Sequence, residues 1–172
     1  MKKKIIVFTL IAGMFTAITA LAQEDKSKRA SPPAKVSETI KSGATITIDY
    51  SQPSVKGRTI GKEIAPFGEV WRTGANEATV FETSKDIMVE GKVLPAGKYS
   101  LYSIPGEEKW TFIFNKTWKQ WGTNYKQDDD VLRVDVKTEK TSKSMEKMTF
   151  EIEKDGEVSL MWGNYEAELK IK

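Results

Sequence analysis

Three short clusters hold most of the residues able to do chemistry. The first is Trp71-Arg72-Thr73-Gly74-Ala75-Asn76-Glu77-Ala78, which sets an indole, a guanidinium, an amide and a carboxylate around a flexible Gly-Ala step. A guanidinium holds anionic or hydroxyl groups through its planar fork, and an indole stacks on flat or cationic partners. Polar groups gathered on a loop between strands are where all-β proteins usually carry function. Trp71, Arg72, Asn76 and Glu77 are therefore candidate ligand-binding residues, with Arg58 as an additional donor. The architectural alternative is that Arg72 and Glu77 neutralise each other while Asn76 satisfies loop backbone groups.

The second cluster is Trp118-Lys119-Gln120-Trp121-Gly122, with Asn115, Asn124 and Tyr125 close in sequence. Trp118 and Trp121 have the composition of a sugar-stacking platform, with amides able to read hydroxyls. Large aromatics also fold inward to plug the end of a β domain, which is the competing expectation. The third cluster, Asp128-Asp129-Asp130, offers oxygen ligands of the kind calcium takes. It lacks the spaced acidic pattern of a helix–loop–helix site, and adjacent residues cannot all point one way, so a solvated loop without metal is expected.

Other chemistry is excluded by composition. The chain has no cysteine and no histidine, which removes thiolate nucleophiles, disulfides, histidine-containing zinc sites and imidazole triads. Gly57-Arg58-Thr59-Ile60-Gly61-Lys62 resembles a phosphate loop, but its spacing is one short and Glu63 follows the lysine instead of Ser/Thr. Nothing implies a cofactor. A hydrolase is conceivable with Glu77 as general base beside Arg72, which needs a carboxylate of raised pKa in a cleft, or with Glu77 and Asp130 as a carboxylate pair for glycoside hydrolysis, which their separation decides.

The 172 residues fit one domain. The formal charge of +3 comes wholly from Lys2, Lys3 and Lys4; beyond residue 22, basic and acidic residues balance. Nucleic acid thus loses its usual electrostatic footprint. Those lysines, the apolar run Ile5 to Ile18 and Ala20-Leu21-Ala22 form the pattern of a cleaved secretory signal peptide over residues 1–22. With no cysteine after the run, a lipoprotein anchor is excluded. The expected product is periplasmic or secreted, without membrane insertion after cleavage.

Residues 23–33, polar and proline-ended, read as a flexible lead-in, and residues 34–172 as one β domain. Thr45-Ile46-Thr47-Ile48-Asp49-Tyr50 and Tyr165-Glu166-Ala167-Glu168-Leu169-Lys170-Ile171 alternate with period two, the habit of half-buried antiparallel strands. Trp110-Thr111-Phe112-Ile113-Phe114 reads as a central strand. Other strands are expected at 34–40, 69–72, 78–84, 87–93, 98–104, 131–137, 147–153 and 157–162. Asp155-Gly156 and Gly163-Asn164 read as tight turns. No helical periodicity lasts ten residues past the signal segment. An all-β antiparallel sandwich or jelly-roll-like domain is expected. Within Leu94-Pro95-Ala96-Gly97-Lys98-Tyr99-Ser100-Leu101, Tyr99 should hydrogen-bond back to its turn, as a tyrosine corner does.

Several of these stretches are long enough to be specific. They are Ser31-Pro32-Pro33, residues 49–58 (DYSQPSVKGR), residues 66–79 (PFGEVWRTGANEAT), residues 94–101 (LPAGKYSL), Ile104-Pro105-Gly106, Ile113-Phe114-Asn115 and Gln120-Trp121-Gly122. By them the chain, from about Ala30 to Ile152, resembles a family of exported bacterial proteins catalogued as domain of unknown function 2911. The resemblance implies an exported, mostly β domain with no established activity and supplies no catalytic residues. One departure is Gln52, where relatives commonly carry arginine, which weakens any anion-binding role of that loop. The functional expectation is a non-enzymatic envelope binding module for a glycan or small polar ligand. The alternative is a structural or protein-interaction module.

Overall fold

The computed structural model describes residues 25–172; the expected signal peptide lies outside them. Eleven strands follow in order: β1 (Pro33–Thr39), β2 (Thr45–Ser51), β3 (Ile60–Gly61), β4 (Ile64–Pro66), β5 (Val80–Thr83), β6 (Ile87–Val89), β7 (Lys92–Leu94), β8 (Gly97–Ile104), β9 (Lys109–Asn115), β10 (Asp130–Ile152) and β11 (Glu157–Lys170). Single 3-10 turns occur at Lys26–Lys28 and Gln127–Asp129. The fold is all-β, as the period-two patterning requires.

Seven strands form one antiparallel sheet in the order β1-β2-β5-β8-β9-β10-β11, with β3-β4 and β6-β7 as small two-stranded additions. The sheet curls because β10 serves two neighbours in turn. Its first part, Asp130 to Lys137, pairs with β9, and Thr138 to Ile152 pairs with β11. The β10–β11 register shifts on both sides of Met145, which lies opposite Gly163. Bulges of this kind bend a strand and increase its twist.

The bend brings β10 back beside the end of β2. Met148 N donates to Pro53 O at 3.0 Å and Val55 N to Glu146 O at 2.8 Å. Tyr50 Oη accepts from Phe150 N, and Gln52 Nε2 donates to Met148 O. Gln52 thus fastens this seam. The β6–β7 hairpin covers the edge of β11 through reciprocal bonds between Met88 and Lys172 at 2.8 and 2.9 Å, so that edge is not left open.

Inside the curl one continuous core gathers Ile46, Ile48, Phe81, Leu101, Phe112, Phe114, Met148, Phe150, Leu160 and Leu169, all buried. Tyr102 and Ile113, cross-strand partners on β8 and β9, are buried outside that cluster. Both faces of the central strands are therefore covered, which explains the unbroken apolar run in β9.

Four expectations change. Gly163-Asn164 is not a hairpin turn: β11 runs straight through it, and Gly163 sits at φ +56° where a Cβ would lie 2.7 Å from Ile60 Cδ1. The same dipeptide chemistry that suits a turn here suits a bulged pair. The separate strands expected at 131–137 and 147–153 are one strand, β10. Conversely, residues 87–93 divide into a hairpin at Glu90-Gly91, both with positive φ, the requirement of a type I′ turn. Residues 69–72 contribute only the bridge between Trp71 and Ser103. Tyr99 Oη does donate to Pro95 O at 2.8 Å, and Gly156 N closes the β10–β11 turn onto Glu153 O.

Candidate functional site

The loop of residues 71–78 and the loop after β9 are zipped together. Gly122 N donates to Asn76 O at 3.0 Å and Ala78 N to Gln120 O at 3.1 Å, with Glu77 and Trp121 bridged between them. Trp71 exchanges two backbone bonds with Ser103, tying the first loop to β8. Thr73, at φ +48°, is a buried β-branched residue in the left-handed region, a strained position. It is held by its hydroxyl on Ser103 Oγ (2.8 Å) and by Thr79 Oγ1 on its carbonyl (2.7 Å).

Between these loops and the segment carrying Arg58 and Ala65 lies a cleft of about 490 Å³, within the range of small-ligand sites. It brings together Arg58, Trp71 and Arg72 of the expected residues, and adds Tyr102, Tyr125 and Trp162. Arg72 is half-buried; its Nε makes a long bond to Gly74 O (3.4 Å), its one side-chain hydrogen bond among the described residues. Gly122 packs on its stem: a Cβ there would lie 2.5 Å from Arg72 Cδ and 2.9 Å from Asn76 O. The arginine is thus positioned by shape, with its terminal nitrogens making no hydrogen bond among the described residues. Arg58 is exposed and directs Nε and Nη2 onto Val55 O and Ser54 O.

Trp71 stacks on Trp162 (5.2 Å, 10°) and meets Trp110 edge-on (6.3 Å, 74°). One indole face is therefore already covered. The indole N–H groups of Trp110 and Trp162, residues 1% and 2% exposed, have no hydrogen-bond partner among the described residues.

Tyr102 and Tyr125 meet at 4.9 Å. Tyr102 Oη accepts from Gln120 Nε2, which leaves its own proton available; burial pushes this phenol up. Tyr125 Oη donates to Asp130 Oδ2 (2.7 Å) and accepts from Arg133 Nη2 (2.6 Å). Burial and the bond to Asp130 raise it to about 12. Asn115 Nδ2 and Arg133 Nε complete the shell around Asp130.

Asn76 and Glu77 do not line the cleft. They fasten the segment before β1, whose Ser31 does line it. Asn76 Nδ2 donates to Ser31 O (3.0 Å), and Glu77 takes Lys26 Nζ and Arg29 Nη1, each at 2.8 Å. The bond from Lys26, aided by Arg29, holds the Glu77 carboxyl at about 2. Arg72 and Glu77 thus do not neutralise each other as their spacing allowed. A carboxylate held so low is also a poor general base, the reverse of what the hydrolase alternative needs.

Trp118 and Trp121 are not in the lining, nor do they fold inward: they are 38% and 47% exposed. Lys98 Nζ lies 5.2 Å over the Trp118 ring. The three aspartates diverge. Asp128 is exposed, Asp129 takes Lys116 and Thr117, and Asp130 turns to Tyr125 and Arg133. Among the described residues no group of three acidic side chains could hold a metal.

Fold and site together define a curled antiparallel β protein with a ligand-sized cleft beside paired loops. The chain belongs to the family described as "Protein of unknown function (DUF2911)", which matches residues 31–171. No curated protein and no solved structure matches it.

Proposed function

We propose that the protein is an exported, non-enzymatic binding module that holds a small polar ligand carrying an anionic group. The observation that carries this reading is Arg72: a guanidinium in a cleft, fixed by Gly122 and Gly74, with its terminal nitrogens unpaired among the described residues. Two guanidiniums, Arg58 and Arg72, line the cleft against one carboxylate, Glu63, and Tyr102, which accepts from Gln120, has its own proton to offer beside Arg72. Such a surface favours a carboxylate or phosphate, held bidentately. Export is supported by Lys2 to Lys4, the apolar run and Ala20-Leu21-Ala22. Fractionation with N-terminal sequencing should find Gln23 first, in the envelope.

The binding test is a thermal-shift screen of residues 23–172 against acidic sugars, sugar phosphates and small carboxylates. A ligand at about 100 times its dissociation constant stabilises by about 2.7 kcal/mol, a shift of several degrees at this size. A hit should vanish in Arg72→Ala without loss of melting temperature. The interaction-module alternative draws on one observation, the exposed cross-strand pair Met88 and Val93 on the β6–β7 hairpin. Concentration-dependent self-association abolished by Val93→Lys would favour it.

A further inference from the structure

A second cavity shares Tyr125 with the first. It measures about 400 Å³ and is lined by Thr117, Gln120, Asn124, Tyr125, Lys126 and Asp129. Gln120, which lines the second, donates to Tyr102, which lines the first. The two are thus adjoining pockets that share Tyr125, whose hydroxyl Asp130 and Arg133 hold at 2.7 and 2.6 Å. An aromatic held in place and shared by two cavities can contact a ligand in each.

The chemistry of the two cavities differs. The first presents Arg72 and the proton of Tyr102. The second presents a carboxamide on Gln120 and another on Asn124, whose side chain makes no hydrogen bond among the described residues. Asp129 stands there too, its carboxyl lowered by Thr117 and Lys116 and therefore ionised. Lys126 in the same lining balances that charge, so the second cavity has no excess of cations to hold an anion, whereas hydroxyl groups can donate to Asp129 and pair with the amides. A phenol ring also offers a flat apolar wall to the C–H face of a pyranose.

We infer that the ligand is an acidic oligosaccharide, its acidic unit at Arg72 and a neutral, hydroxyl-rich neighbouring unit in the second cavity against Gln120 and Asn124. This rests on the cleft being a ligand site, and it adds the ligand class and a second subsite. The exposed Trp121, between Gln120 of one cavity and Gly122 of the other, is consistent with a ligand passing over this loop.

The test uses calorimetric titration with glucuronic acid, with a disaccharide of glucuronic acid and xylose, and with inorganic phosphate. The disaccharide should bind at least tenfold more tightly than glucuronic acid. Asn124→Ala, a surface change, should remove that gain and leave glucuronic acid affinity unaltered; Arg72→Ala should abolish both. Equal affinity for the two sugars, lost together in Arg72→Ala, would overturn the second subsite while leaving the cleft as an anion site. A gain that survives Asn124→Ala would overturn the placement. Phosphate binding through Arg72 with no sugar binding would overturn the ligand class and leave the first cleft standing. No binding by any probe would also overturn that class.

Discussion

Replacing Glu77 with glutamine isolates the clasp that ties the segment before β1 to the cleft. The carboxylate meets Lys26 and Arg29 at 2.8 Å each, and its pKa lies at about 2 against an ordinary 4.5. Taken whole, that depression is about 3 kcal/mol. Water screens much of it, because Glu77 is 39% exposed and Lys26 53%. Exposed pairs contribute about 0.2–1 kcal/mol each, so the two pairs together are worth about 1 kcal/mol. Glu77→Gln should therefore open the segment about fivefold more often at pH 7 and lower the melting temperature by about 2–4 °C. The assays are the rate of tryptic cleavage after Lys26, Lys28 and Arg29, and calorimetry across pH. The sign follows from a lowered folded-state pKa. The stabilisation is complete above the ordinary 4.5 and fades as pH falls through about 2. Wild type and variant should converge at pH 2 and approach each other in 1 M salt. Equal tryptic rates at pH 7, or a melting difference undiminished at pH 2, would refute the reasoning.

Three further outcomes are expected. Gly122→Ala would press a methyl against Arg72 Cδ and Asn76 O. It should lose about 1–3 kcal/mol and ligand binding together, read by thermal melting and titration. Tyr50→Phe removes the acceptor of the buried Phe150 N–H and a partner of Gln52 at the seam between β2 and β10. Equilibrium denaturation should show a loss of about 1–3 kcal/mol. Tyr125, raised to about 12, keeps its proton in the fold at pH values where an unfolded tyrosine loses it. Stability should therefore fall from pH 10 to 12, and ultraviolet titration of wild type should show a late-ionising phenol that is missing in Tyr125→Phe.

The strand content was legible because alternation survives wherever one sheet face is buried, as at Ile46, Ile48 and Tyr50 in β2. Turns with a single stereochemical reading were legible too, among them Asp155-Gly156 and the Tyr99 corner. Gly163-Asn164 misled because a positive-φ glycine serves a bulge as well as a turn, and only its pairing opposite Met145 decides between them. Arg72 was conspicuous as the cation of a polar loop. Tyr102 and Trp162 were not, since within β8 and β11 they carry the same pattern as core residues. Their place on the cleft follows from the curl of the sheet, which local spacing does not encode. Proximity in sequence makes Glu77 a candidate ligand residue or, alternatively, a partner for Arg72, while its ion-pair partners come from the segment 48–51 residues earlier.

The central claim is that a preset Arg72 holds an anionic ligand. Titration of glucuronic acid and phosphate into wild type, Arg72→Lys and Arg72→Ala tests it most directly. The account predicts binding by wild type, a loss of about tenfold or more in Arg72→Lys because an ammonium cannot reproduce the fork, and none in Arg72→Ala, with all three melting together. Binding indifferent to both substitutions, or a large melting loss in Arg72→Ala, would contradict it and place Arg72 in the framework of the fold.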